Sequence, residues 1–127
     1  MKGKRELIAM LGNKKMPYSA ALAFDSLVFV SGMVGRNFET GQIAQGDIVE
    51  QTRQTIVNIE TQLKQAGLLL ENVLKVTVFL TDMAMYQKMN QIYVTFFKSG
   101  LPARSCVQVV ALPDSEALVE IEVIAHR

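Results

Sequence analysis

The chain has 127 residues, which suits a single domain with a sizeable core, and we expect residues 1–127 to form one domain. Half of the residues are apolar and a fifth are charged, an ordinary composition for a soluble globular protein. The net charge is +1 and no run of basic residues occurs. The sequence therefore gives no electrostatic support for nucleic-acid binding, although a basic patch formed by the fold stays open.

The cysteine and histidine content excludes two kinds of site. The one cysteine, Cys106, cannot form a disulfide within the chain and suits a reducing compartment. One cysteine and one histidine, His126, cannot make a zinc site of the usual kind. The apolar run at residues 7–11 is too short for a signal sequence, and no run is long enough for a membrane span. We therefore expect a cytoplasmic protein.

The N-terminal part of the chain predicts three strands. A short strand is expected from Glu6 to Met10. Ala20 to Phe24 and Leu27 to Val30 flank Asp25-Ser26, which is a candidate two-residue hairpin turn. We expect Ser31-Gly32 to end the third strand, where the glycine permits a bulge or a close approach of another group to the backbone.

Two amphipathic helices are predicted. The first begins after Asp47, which can cap it in a box with Glu50, and it stops at Gly67. Its expected buried stripe is Ile48, Thr52, Thr55, Ile56, Ile59, Leu63 and Ala66. The second helix is expected to begin after Asp82 and to end at Gly100. Its expected buried stripe is Met85, Met89, Ile92, Tyr93 and Phe96.

Three further strands complete the predicted fold. Val73 to Leu80 is nearly continuous in apolar residues, which predicts a strand covered on both faces. Residues 102–110 and 119–123 alternate in polarity and read as strands. The order βββαβαββ predicts an α+β domain with a mixed sheet and both helices on one face. Because apolar side chains would also cover the other face, we predict that it packs against another copy in a closed homo-oligomer.

The last two strands carry charged residues that need an explanation. Strand side chains point to alternate faces, so Arg104 shares a face with Cys106, while Glu120 points away from Val119 and Ile121. One interpretation is a solvated face or a structural ion pair. The other is a small-anion site, in which a guanidinium binds a carboxylate through two hydrogen bonds and a nearby carboxylate orients or deprotonates a water. Periodicity alone does not choose between them.

Several motifs stand in the order that one protein family has. They are Pro17-Tyr18-Ser19, Val30-Ser31-Gly32, Gln62-Leu63-Lys64-Gln65-Ala66-Gly67, Val76-Thr77-Val78-Phe79-Leu80-Thr81-Asp82-Met83, Asn90-x-x-Tyr93-x-x-Phe96-Phe97, Pro102-Ala103-Arg104-Ser105-Cys106-Val107 and Val119-Glu120-Ile121-Glu122. From Met16 to Ala125 the chain resembles the YjgF/RidA family of reactive-intermediate deaminases. Met33 stands where this family commonly has a glutamine, and a more apolar cleft is expected if Met33 lines it.

The resemblance implies a chorismate-mutase-like α+β protomer and a homotrimer with sites in clefts between subunits. It implies hydrolysis of 2-imino and 2-enamino acids, such as 2-aminoacrylate or 2-iminobutanoate, to 2-oxo acids and ammonia, without metal or cofactor. By motif, Arg104 would bind the substrate carboxylate and Glu120 would hold or activate the attacking water. The backbone at Cys106 would meet the imine nitrogen. The resemblance also implies four further cleft residues, some of them from a neighbouring subunit: Tyr18, Ser31, Gly32 and Asn90.

Two other functions stay open at this point. The family has also been described as endoribonucleases that inhibit translation, although this chain lacks a histidine pair for acid–base chemistry and a basic run. Alternatively, the cleft binds a small carboxylate metabolite or a partner without turnover. An imine carbon is already electrophilic, so its hydrolysis mainly needs an oriented acid group and a water. Arg104 and Glu120 supply these two elements, which makes the deaminase the leading hypothesis.

Overall fold

A computed structural model describes residues 3–8 and 15–127. Within them, six strands form one sheet: β1 (Arg5–Ile8), β2 (Ala21–Phe24), β3 (Leu27–Val34), β4 (Val73–Leu80), β5 (Ala103–Gln108) and β6 (Val119–His126). The two α-helices are α1 (Ile48–Gln65) and α2 (Tyr86–Phe96), and short 3-10 turns precede β4 and α2. The predicted order βββαβαββ is confirmed.

The strand order places β5 and β6, which carry Arg104 and Glu120, at different positions in the sheet. The order is β1-β2-β3-β6-β4-β5, so β6 lies in the middle and β5 lies at an edge. β4 and β5 run parallel, and the other neighbouring pairs run antiparallel, which makes the sheet mixed as predicted. Both β5 and β6 pair with β4, which therefore fixes how their side chains are placed relative to each other.

The two faces of the sheet differ in their cover. Alternate strand residues are buried beneath the helices, among them Val28, Val30, Val76, Val78, Leu80, Val119, Ile121 and Val123. The residues between them lie on an open face, where Phe29 and Val107 are 40% and 43% exposed. Both helices therefore lie on one face, as predicted. The expectation that β4 is covered on both faces is wrong for the single chain, because Lys75 and Phe79 on its other side stay partly exposed.

The first and third strands differ from their predicted bounds. β1 ends at Ile8, and residues 9 and 10 of the predicted strand lie outside the described part of the chain. β3 runs on through Ser31 and Gly32 to Val34 instead of stopping there. Its register with β6 shifts between Val30 and Met33, which is the bulge that the glycine permits. The predicted hairpin at Asp25 is confirmed, and this residue has a φ of 54°.

The second helix is shorter than predicted at both ends. The carboxylate of Asp82 caps the preceding 3-10 turn, accepting from the Ala84 N–H at 2.9 Å, rather than α2 itself. α2 ends at Phe96 and not at Gly100, because Phe97 adopts an extended backbone. The ring of Phe97 is buried and stacks on Tyr93 with 4.5 Å between ring centroids. Burial of this ring against the helix favours the early end.

The first helix follows its predicted pattern and also buries amides that the pattern missed. Asp47 Oδ1 caps α1 as predicted, but it accepts from the Val49 N–H and does not form the predicted capping box with Glu50. The predicted stripe is buried apart from Ala66, which is half-buried. Gln51, Asn58 and Gln62 are buried as well. A helix that buries side-chain amides must give them hydrogen-bond partners, since an unsatisfied buried polar group is costly.

Two of these amides join α1 to the ends of the strands below it. Gln51 Nε2 donates to the Glu116 carbonyl at 3.1 Å, and its Oε1 accepts from the Leu118 N–H at 2.7 Å. Asn58 Nδ2 donates to the carbonyls of Val34 and Arg36 at 2.9 and 2.8 Å. Helix α1 therefore holds the exit of β3 and the entry of β6 in fixed positions.

No helix in the described part of the chain is long and apolar enough to cross a membrane.

Replacing Gln51 with leucine is expected to lower the free energy of unfolding by about 2 kcal/mol, because the Glu116 carbonyl and the Leu118 N–H lose their partner. The matched control is Gln65→Leu, an exposed position on the same helix, which should change this free energy by less than about 0.5 kcal/mol. Denaturant unfolding followed by circular dichroism at one protein concentration measures both. Equal effects of the two substitutions would show that the Gln51 bonds add no stability.

Candidate active site

Arg104 lies on the helix-covered face, at the edge of the sheet. It pairs with the buried Val76 in the β4–β5 register. Its Nη1 donates to Asn90 Oδ1 at 2.7 Å, and its Nη2 donates to the Tyr86 hydroxyl at 3.0 Å. The guanidinium carbon also lies 4.7 Å from the ring centroid of Tyr93 and 5.6 Å from that of Tyr86. α2 therefore holds the guanidinium on several sides.

The partners of Arg104 are all neutral. An amide oxygen, a hydroxyl and two aromatic rings surround it, and no described carboxylate forms an ion pair with it. The structural ion pair considered from the sequence is therefore not formed among the described residues. A guanidinium has five N–H groups, of which these bonds use two, so enough remain for a bidentate carboxylate.

Glu120 lies on the open face of the sheet, in the middle of the molecule. It pairs with Phe79 on β4 and with Val34 on β3, next to the β3 bulge. A Cβ atom added to Gly32 would lie 2.5 Å from Glu120 Oε2, so a larger residue at this position would displace the carboxylate from where it lies. Burial raises the pKa of Glu120, and the negative charge of Glu122 on the same face raises it further. Glu120 is therefore a stronger base than an exposed glutamate.

The β3 bulge also connects the segment that carries Tyr18 to the neighbourhood of Glu120. Ser31 Oγ donates to the Ser19 carbonyl at 2.6 Å, and the Ser31 N–H donates to the Ala20 carbonyl at 2.9 Å. The Tyr18 side chain is 52% exposed. Tyr18 and Ser31 line a depression of about 440 Å³ on the open face. Its lining also includes Lys75, Thr77 and Glu122.

Cys106 lies beside Arg104 on the same strand face and pairs with Val78. Burial raises the pKa of its thiol, and the positive charge of Arg104 only partly opposes this effect. The sulfur is therefore protonated at neutral pH and is a poor nucleophile. β5 is an edge strand, so alternate backbone N–H and C=O groups along it point away from β4. A role for the backbone at Cys106, rather than for its sulfur, stays a prediction.

The candidate residues fall into two groups that do not meet within one chain. The arginine group consists of Arg104, Asn90, Cys106 and Tyr86, on the helix side of the β5 edge. The glutamate group consists of Glu120, Gly32, Ser31 and Tyr18, on the open face or beside it. Arg104 pairs with Val76 and Glu120 with Phe79, two β4 positions that point to opposite faces. The sheet itself separates the two charged groups.

The structure differs from the sequence analysis at two residues near the site, Tyr86 and Met33. Tyr86 was not among the candidates, although its spacing of four from Asn90 on α2 is the signal that puts both on one helix face. Met33 is 8% exposed and belongs to the core beneath the helices, so it does not line the open face. The described residues contain no group of three histidine, cysteine or acidic side chains that could hold a metal ion.

Comparison with known proteins identifies the family. A family model described as Endoribonuclease L-PSP matches residues 12–127. A RutC family protein of Pyrococcus horikoshii is 43% identical over 111 residues, which cover 87% of either chain. A Mus musculus protein named 2-iminobutanoate/2-iminopropanoate deaminase is 44% identical over 109 residues, covering 86% of this chain and 80% of that one. The structure of E. coli TdcF with bound serine matches with a TM-score of 0.89 at 34% identity, covering 96% of this chain and 98% of that one. The chain therefore belongs to the endoribonuclease L-PSP family, which is the YjgF/RidA family that its motifs resemble.

Proposed function

We propose that this protein hydrolyses reactive 2-imino and 2-enamino acids, such as 2-aminoacrylate or 2-iminobutanoate, to 2-oxo acids and ammonia. The observation that carries the proposal is the environment of Arg104, a guanidinium held by Asn90 and Tyr86 with no described carboxylate beside it. A charge fixed in this way is suited to the carboxylate of a small ligand. The mouse relative is named a 2-iminobutanoate/2-iminopropanoate deaminase and the TdcF structure contains bound serine, which supports the same substrate class.

The reaction requires one base in addition to Arg104, which binds the substrate carboxylate. A 2-enamino acid first takes a proton at C3, which gives the protonated imine. Water adds to the carbon of the protonated imine while Glu120 takes one of the water protons, which gives a neutral carbinolamine. Glu120 then passes that proton to the nitrogen and the C–N bond breaks. The C=O bond of the 2-oxo acid forms as the hydroxyl proton returns to Glu120, and ammonia leaves. Each turnover consumes one water and changes no oxidation state. The raised pKa of Glu120 suits it to both the accepting and the donating step.

The reaction also requires Arg104 and Glu120 to act on one ligand, although they lie on opposite faces of one sheet. We therefore propose that Arg104 of one copy faces Glu120 of a neighbouring copy in a homotrimer with clefts between subunits. The open face supports this assembly, because partly exposed apolar side chains such as Phe29 and Val107 gain from burial against another copy. The Gly32 side of each cleft then belongs to the copy that supplies Glu120.

Arg104→Ala is expected to slow 2-oxo acid release at least about a hundredfold, because the substrate carboxylate loses its bidentate partner. A threonine dehydratase supplies the imine, and 2-oxobutanoate release is followed with and without the protein. Arg53→Ala is the matched control, since Arg53 lies exposed on α1 away from both groups. Wild-type protein that gives no acceleration with several amino-acid imines would contradict the deaminase. Carboxylate binding without turnover would then be the better account.

A mixture of two inactive variants tests whether the site is shared between copies. Co-assembly of Arg104→Ala subunits with Glu120→Gln subunits in equal amounts is expected to restore about a quarter of the wild-type activity. Half of the subunits supply an intact arginine, and half of their neighbours supply an intact glutamate. Each variant assembled alone serves as the blank. Mixed oligomers that stay as inactive as the blanks would show that Arg104 and Glu120 do not meet across an interface.

Glu122→Gln is expected to shift the acidic limb of the pH–rate profile to lower pH. The negative charge of Glu122 contributes to the raised pKa of Glu120, so its removal lowers that pKa and leaves the base ionised at lower pH. The raised pKa also means that Glu120 contributes to folding stability at low pH, a contribution lost as pH rises through the folded pKa. Titration of the Glu120 carboxyl carbon by NMR measures the pKa directly. An unchanged titration midpoint of Glu120 in Glu122→Gln would show that the charge of Glu122 does not raise the pKa of Glu120.

A further inference from the structure

We infer that Tyr86 is a positioning residue for Arg104, fixing the plane of the guanidinium that receives the ligand carboxylate. This inference rests on the proposed function to the extent that it takes Arg104 as the carboxylate anchor. Tyr86 is the first residue of α2, and Asn90 follows one turn later. The helix thus presents a hydroxyl and an amide oxygen to Nη2 and Nη1 of the same guanidinium, at 3.0 and 2.7 Å.

Two hydrogen bonds at different nitrogens define the orientation of a planar group, whereas one bond leaves it free to rotate. An arginine side chain loses about 2 kcal/mol of rotamer entropy when it is ordered. In this protein the two bonds from α2 order the guanidinium through groups of the chain itself, and the rings of Tyr86 and Tyr93 limit its movement out of plane. A carboxylate that binds the remaining N–H groups therefore finds donors whose orientation is already fixed.

Tyr86 acts on Arg104 and not on the ligand. The two hydrogens on one Nη nitrogen diverge by about 120°, so two oxygens bound to that nitrogen lie about 5 Å apart. The Tyr86 hydroxyl occupies one of these directions on Nη2. A ligand oxygen in the other direction is beyond hydrogen-bond distance from the hydroxyl. The expected result of losing the hydroxyl is a less ordered guanidinium, not a lost contact to substrate.

Tyr93 provides an internal comparison at the same guanidinium. Its ring lies closer to the guanidinium carbon than that of Tyr86, at 4.7 against 5.6 Å. Its hydroxyl, however, is buried and has no hydrogen-bond partner among the described residues. Removing that hydroxyl takes nothing from Arg104. The two tyrosines therefore share the ring contact and differ in the hydrogen bond.

The test compares Tyr86→Phe with Tyr93→Phe, using 2-oxobutanoate as the probe ligand and titration calorimetry of the assembled protein. Tyr86→Phe is expected to weaken binding about fivefold to tenfold, and Tyr93→Phe to change it by less than about twofold. The maximal rate of imine hydrolysis should fall less than the affinity does in Tyr86→Phe, because the lost order affects the carboxylate end of the ligand. The melting temperatures of both variants show whether a difference in folding contributes.

A second experiment, in the Arg104→Lys protein, distinguishes a Tyr86 that positions Arg104 from a Tyr86 that contacts the ligand directly. In Arg104→Lys the ammonium has no plane to fix, so adding Tyr86→Phe should change 2-oxobutanoate affinity by less than about twofold. An undiminished effect in this background would overturn the inference, as would equal affinities of the two phenylalanine variants. Wild-type protein that binds no 2-oxobutanoate would overturn it too. Binding that depends on Arg104 without imine hydrolysis would reject the proposed reaction and leave the role of Tyr86 standing.

Discussion

The pairing of β5 and β6 with the same strand, β4, is the constraint from which the rest of the candidate site follows. Arg104 pairs with Val76 of β4, and Glu120 pairs with Phe79. These two β4 positions are an odd number apart, so they point to opposite faces, and so do their partners. No rotamer carries a side chain through a packed sheet. A chemistry that needs both charges on one ligand therefore needs a second copy of the chain.

The β3 bulge adapts one strand to this arrangement. Val28 and Val30 are buried beneath the helices, and strict alternation would put residue 32 there next. The register shift puts Met33 in the core instead, and it leaves Gly32 beside the Glu120 carboxylate. A strand without the shift would bring a different residue to this carboxylate. Asn58 holds the end of the same strand by bonding the carbonyls of Val34 and Arg36, so α1 stabilises the bulged strand just after the irregularity.

The features that could be predicted from the sequence depend on local periodicity. The cap at Asp47, the stripe of α1, the hairpin at Asp25 and the face that Arg104 shares with Cys106 all follow from neighbours within a few residues. The features that could not be predicted depend on which strand lies beside which. The buried amide of Gln51 bonds residues 65 and 67 positions away, and Tyr86 reaches an arginine 18 positions away. On a helix, such polar side chains look like solvent-facing residues until the partner strand is in place.

A second arginine shows what distinguishes the environment of Arg104. Arg36 donates from Nε and Nη2 to the two carboxylate oxygens of Asp114 at 2.8 and 2.9 Å, and its Nη2 also reaches Glu116 at 3.2 Å. These bonds raise the pKa of Arg36, and the two carboxylates compensate its positive charge. The bonds also join the loop after β3 to the loop before β6, so this guanidinium stabilises the fold. Arg104 is held instead by two hydrogen bonds, to an amide and a phenol, which leave its charge uncompensated. An arginine that is held in place and lacks a carboxylate has both its charge and its remaining N–H groups available for an anion, and in this chain that arginine lies on the strand edge where a second copy can close the cleft.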